Sequence, residues 1–98
     1  MEVVNDPRLE FFGLKFAVAW SPAEVAANTS AEQDLTVTGV KVGDVIAVNK
    51  PTAQAGLGVV GVRVKSADLV SVTFGNFTAV AITPTAAQTY SFLVVRAK

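Results

Sequence analysis

Neither cysteine nor histidine occurs in this 98-residue chain. The first absence excludes disulfides, thiol nucleophiles and cysteine metal sites, and the second removes the commonest general base and metal ligand. Charge is scarce as well, at 16% of residues against 51% hydrophobic, a lean surface for a free monomer that implies apolar area covered by other subunits. The formal net charge is zero, so the basic field that drives nucleic-acid binding is missing. Met1 to Pro7 has no basic flank followed by an apolar core, which leaves no secretory signal and points to synthesis in the cytoplasm. The uncharged run from Leu69 to Val95 is too polar for a membrane span, being broken by Thr73, Asn76, Thr78, Pro84, Gln88 and others. A chain this short also cannot supply the eight tilted strands of a membrane barrel.

What charge there is divides by position. Residues 1–49 hold seven acids and three bases, and residues 50–98 hold five bases and Asp68 alone. Either strands of opposite sign lie side by side in one sheet, or opposite patches meet between subunits.

From Asp34 to Arg96 short apolar and polar alternations are separated by Gly, Pro, Asn and Asp, which is a β-sheet rhythm. Leu35-Thr36-Val37-Thr38 alternates cleanly. Val45-Ile46-Ala47-Val48 is apolar on both faces, which predicts a central strand. From Gly58 onward Val60, Val62 and Val64 share the inward face, opposite Arg63 and Lys65; Val70, Val72 and Phe74 follow the same rule. Ser66-Ala67-Asp68 closes a hairpin between those two strands. Thr78 to Ile82 reads as a short edge strand, and Thr89 to Arg96 places Tyr90, Phe92 and Val94 on one face. Leu93 and Val95 on its other face make that strand central or covered by a partner. The expected core is Leu35, Val37, Val62, Val64, Val70, Val72, Phe74, Phe92 and Val94. Earlier in the chain, Phe16 to Trp20 reads as a strand, and Ser21-Pro22 with Glu24 fits the start of a helix of a turn or two. Residues 1–16, with Leu9, Phe11, Phe12, Leu14 and Phe16, form either an edge strand folded onto the sandwich or an arm docked on a neighbouring subunit. The favoured division is therefore an N-terminal arm, 1–16, and a β-sandwich domain, 17–98. The fold expected is all-β, a compact antiparallel sandwich or flattened barrel of six to seven strands.

Chemical motifs are few. Gly56-Leu57-Gly58-Val59-Val60-Gly61 matches the dinucleotide pattern G-x-G-x-x-G, but no strand precedes it, a period-2 strand follows it and no acid lies about 20 residues on. The glycines are expected to relieve crowding where a strand enters the sheet. The acids are dispersed, with no calcium-loop or paired-carboxylate spacing, and Asp44 after Gly43 reads as a turn cap. Asn76-Phe77-Thr78 is a glycosylation sequon that, without a secretory route, reads as a turn. No catalytic, cofactor-binding or metal-ligating residue is expected.

Leu35-Thr36-Val37-Thr38-Gly39, Gly43-Asp44, Val48-Asn49-Lys50-Pro51, Gln54-Ala55-Gly56-Leu57-Gly58, the valine strand to Val64, Phe74-Gly75-Asn76, Ile82-Thr83-Pro84 and Tyr90-Ser91-Phe92, in that order, resemble a family of small structural proteins encoded in tailed-phage genomes. The resemblance covers roughly residues 20–96. It implies a non-enzymatic virion protein, a capsid decoration or cement protein whose partners are major capsid subunits and sister copies, with no nucleic acid, membrane or small-molecule substrate. By analogy with the three-fold axes of shells, a homotrimer is expected. The alternative is a receptor- or glycan-binding module of a tail or head fibre, for which Phe77 is the best exposed aromatic. The tract before Trp20 lies outside the resemblance. Its bulky residues Leu9, Phe11, Phe12, Leu14 and Phe16 are the expected protein-interface candidates, covered by another subunit.

Overall fold

The computed structural model describes residues 11–97. Six strands build it: β1 (Phe11–Trp20), β2 (Thr29–Thr36), β3 (Val45–Asn49), β4 (Leu57–Ser66), β5 (Leu69–Asn76) and β6 (Gln88–Ala97). They form two antiparallel three-stranded sheets, ordered β1-β6-β3 and β2-β5-β4, packed together as a sandwich and not closed into a barrel. No helix occurs among the described residues.

The period-2 pattern makes the core. In the first sheet the inward rows are Leu14–Val94–Ile46 and Phe16–Phe92–Val48, followed by Val18–Tyr90; in the second they are Ala31–Phe74–Val59, Gln33–Val72–Val62 and Leu35–Val70–Val64. The central strands β5 and β6 supply the fully buried side chains Val70, Val72, Phe74, Tyr90, Phe92 and Val94, while their edge neighbours are half-buried against them. Each buried valine or phenylalanine contributes about 1.5–3 kcal/mol. Trp20 joins the sheets, its ring 5.2 Å from Tyr90 and 5.7 Å from Phe74.

Four local readings are corrected. First, residues 21–27 form no helical turn: the Gln33 amide satisfies the Ala23 peptide on both sides, at 2.7 and 2.9 Å, and Ser21 Oγ accepts a hydrogen bond from the Ala87 amide. The segment runs extended enough for Val25 to bridge Ile82, which leaves Val25 buried. That bridge is all that forms of the strand expected at Thr78–Ile82. Second, β2 runs from Thr29 and ends at Thr36, so Val37 lies beyond its end and is buried with Val40 in a turn instead. The hairpin turn after β4 clamps that turn, since Val37 donates to the Asp68 carbonyl, Asp68 donates to the Val40 carbonyl and Gly39 donates to the Asp68 carboxylate. Third, β3 is an edge strand, not a central one. Fourth, Val60 points outward. A β-bulge pairs Val59 with Phe74 and Gly61 with Thr73, so Val60 is the extra residue and Val59 takes the inward place.

The segment expected to be an arm is, from Phe11 on, the first half of β1, hydrogen-bonded to β6 along its length.

Candidate interaction surfaces

A sandwich has two outer faces, and here they differ in kind. On the β2-β5-β4 sheet, Glu32 and Asp34 of β2 reach over the central strand to Arg63 and Lys65 of β4. Arg63 Nε lies 2.8 Å from Glu32 and Lys65 Nζ 3.0 Å from Asp34. Beneath them Ser71 is fully buried and donates to Asp34 at 2.6 Å. The Arg63 hydrogen bonds hold the Glu32 carboxyl below its usual range, and the hydrogen bonds from Ser71 and then Lys65 do the same for Asp34. A third pair closes the edge of the other sheet. Arg96 binds Asp44 through both nitrogens, at 2.8 and 2.6 Å, with the Asp44 side chain only 4% exposed. These hydrogen bonds, with one from the Lys41 amide, lower the Asp44 pKa to about 2. In all three pairs the acid comes from the first half of the chain and the base from the second, so among the described residues these opposite signs meet within the fold.

The outer face of the β1-β6-β3 sheet is different. Its rows are Gly13–Val95–Val45, Lys15–Leu93–Ala47 and Ala17–Ser91–Asn49, ending in Ala19–Thr89. One charge, Lys15, stands among glycine, alanines and aliphatic side chains. Val45 is 69% and Leu93 52% exposed. An antiparallel sheet with one face on the core and the other on water alternates apolar with polar; here the outer face is apolar around Val45, Leu93 and Val95 and polar only toward Asn49, Ser91 and Thr89. A shallow hollow of about 330 Å³ lies between Lys15, Ala47, Asn49, Ser91 and Leu93. The signal was present in the two-sided apolar pattern of residues 45–48 and of Leu93 and Val95. For β3 it read as central burial, because a strand between two neighbours and a strand on a sheet with an apolar outer face look the same in sequence.

Of the expected interface residues, Leu14 and Phe16 lie on the opposite side of β1, partly buried against the chain's own core, as in the edge-strand reading of this tract. Phe11 and Phe12 pair with Ala97 and Arg96 at the end of β1. Leu9 lies outside the described residues.

The chemical motifs resolve structurally. Gly58 and Gly61 lie in β4 and no helix follows them; Gly56 takes a turn at φ 77°, where a Cβ would collide with the Thr78 methyl. The sequon asparagine, Asn76, is 1% exposed. Its Nδ2 donates to the carbonyls of Val25 and Val80, and its Oδ1 accepts from the Thr78 amide and hydroxyl. Among the described residues no group of three or more acids gathers to hold a metal ion. Compared with protein-family models, curated proteins and solved structures, the chain matches none.

Proposed function

We propose that the chain is a structural assembly protein of a tailed-phage virion, decorating the capsid by laying the outer face of the β1-β6-β3 sheet on major capsid subunits. The observation that carries this reading is that face itself, built mainly of small and aliphatic side chains, with Lys15 as the one charge in its paired rows. Small residues let a partner backbone approach closely. The family resemblance of residues 20–96 supplies the setting, and the face supplies the mode of attachment.

Magnitudes favour several copies acting together. Three strands of up to ten residues present about 30 by 15 Å, or roughly 450 Å² on this side, well under the ~800 Å² per partner of a standard interface. At about 25 cal/mol per Å² that is about 11 kcal/mol gross, against association costs of about 4–15 kcal/mol. One face alone thus holds weakly. A homotrimer seated on a three-fold axis converts three weak contacts into firm attachment by avidity.

The test is Leu93→Glu, which places a carboxylate at the centre of the face without touching the core. The variant should keep the wild-type circular dichroism and melting temperature while its binding to emptied capsids falls about a hundredfold or more, because the charge would be buried unpaired. Hundreds of wild-type copies per virion are expected by quantitative gel. Unchanged shell binding by Leu93→Glu, or only a few tens of copies, refutes the reading and puts the alternative, the fibre module, in its place.

A further inference from the structure

At the end of the other sheet, away from the apolar face, lies an open concavity of about 550 Å³ lined by Asn28, Thr29, Ser30, Val60, Gly75 and Phe77 beside the buried Asn76. We propose that this hollow is a binding site for a neutral saccharide, with the Phe77 ring as its stacking platform and Asn28 and Ser30 as its hydrogen-bonding rim.

Three observations carry the inference. First, the hollow depends on specific residues. Ser30, Gly75 and Gly58 stand in one row across the outer face of the sheet. A Cβ on Gly75 would lie 2.9 Å from Phe77 Cζ and 3.0 Å from Val60 Cγ1, so ring and valine rest directly on the glycine backbone; a Cβ on Gly58 would meet open space. The bulge in β4 turns Val60 outward to form the wall.

Second, Phe77 is held in an exposed position. Phe74, Tyr90, Phe92 and Phe77 were the aromatics outside the N-terminal tract open to a sugar; the first three are fully buried, and Phe77 is 72% exposed. Its backbone amide donates to the Gly56 carbonyl at 2.8 Å, and the next residue's carbonyl accepts from Asn28 at 3.0 Å. The four hydrogen bonds of the buried Asn76 side chain fix the turn from the other side. A large apolar ring fixed in water by a satisfied turn is preorganised for a ligand, since little ordering entropy remains to be lost.

Third, the lining selects the ligand class. No lining residue is charged, which disfavours phosphates, acidic sugars and ionic peptides. An aromatic face beside the Asn28 amide and the Ser30 hydroxyl matches the alternating C–H faces and hydroxyl edges of a pyranose, while the Thr29 hydroxyl is given to the Ala26 carbonyl. The volume falls in the range of small-ligand sites and accommodates one or two sugar rings.

The proposal is independent of the capsid reading, because the two surfaces belong to different sheets. The experiment titrates the full chain with galactose, N-acetylglucosamine, methyl glucoside and their β-linked disaccharides, following backbone amides by nitrogen–proton correlation spectra. At least one probe should shift Asn28 to Ser30, Gly58, Gly75 and Phe77 while leaving residues of the β1-β6-β3 face unmoved. Phe77→Ala and Phe77→Leu, both at an exposed position, should keep the fold and weaken binding about tenfold or more, and Asn28→Ala should weaken it less. Leu93→Glu should bind sugar as wild type does, so that a failure of shell binding and a failure of this site are told apart. The proposal is overturned if no probe in the panel shifts these amides, or if the shifts persist in Phe77→Ala. Loss of shell binding in Phe77→Ala without any sugar response also overturns it, by making the hollow a protein contact.

Discussion

Replacing Asn76 by alanine removes four hydrogen bonds from a position that water does not reach. Two of the partners keep or gain a second donor: the Val25 carbonyl also accepts from the Ile82 amide at 3.0 Å, and the single proton of the Thr78 hydroxyl, 2.8 Å from both Asn76 Oδ1 and the Val80 carbonyl, can pass wholly to that carbonyl. The Thr78 amide has no other acceptor among the described residues. At about 1 kcal/mol net per bond, with the unpaired amide at the upper end, the loss sums to about 3 kcal/mol. A domain of this size has about 5–15 kcal/mol in total, so the melting temperature should drop by about 12–24 °C. Urea denaturation followed by circular dichroism should show a lower midpoint with an unchanged slope, which assigns the effect to the native state. Asn49→Ala, at an exposed position of β3, is the control and should change stability by less than about 0.5 kcal/mol. A loss below about 1 kcal/mol in Asn76→Ala would mean that solvent replaces these bonds. The turn would then be held by its backbone contacts alone, and the claim that Asn76 fixes Phe77 would fail.

Two further outcomes follow from buried polar groups. The Tyr90 hydroxyl is buried without a hydrogen-bond partner among the described residues, and its burial raises the phenol pKa; Tyr90→Phe should therefore stabilise the protein by about 1 kcal/mol in chemical denaturation, and a destabilised variant would reveal a partner for that hydroxyl. Asp44 has its pKa lowered from 3.8 to about 2 in the folded state, so its contribution is complete above pH 3.8 and is lost as pH falls through about 2, with Glu32 and Asp34 acting in the same direction. The melting temperature should fall across that acid window, and less steeply in Asp44→Asn, which has already lost the contribution; parallel curves for the two proteins would refute the assignment.

Much of the fold was legible because a strand half-buried on one face writes its burial into alternate residues. Val70, Val72, Phe74, Phe92 and Val94 fall where alternation places them. Alternation fails where one residue is added, as at Val60, whose bulge is visible only once β4 and β5 are aligned. It also fails where long-range partners decide local structure. Ser21-Pro22-Ala23-Glu24 carries a helix-start signal, yet the Gln33 amide on the neighbouring strand satisfies the Ala23 peptide, and Val25 is buried through its bridge to Ile82. Neither contact leaves a local trace. The hollow was legible only in part: Phe77 stood out as an exposed aromatic, whereas its contact with Gly75 and the row shared with Ser30 and Gly58 depend on register.

The two outer faces solve one problem in opposite ways. A central strand of a three-stranded sheet is flanked on both sides but still open on its outer face. On β5 that face is sealed from within the chain: the long side chains of Arg63 and Lys65 meet Glu32 and Asp34 above Ser71 and bury it completely. The corresponding positions around β6 hold Gly13, Ala17, Ala19 and Ala47, which are too short to reach over the central strand, and the one long charged side chain beside Leu93, Lys15, faces Ala47 across it and not an acid. Sealing by a partner, as in the proposed attachment to the shell, would remove that aliphatic surface from water. Since the faces of a sandwich point in opposite directions, a molecule seated by its β1-β6-β3 sheet turns the other sheet outward, and the Phe77 hollow with it. The ion-paired face would then be the exterior of the decorated particle, with its charges already mutually satisfied and its one exposed aromatic left free to meet a ligand.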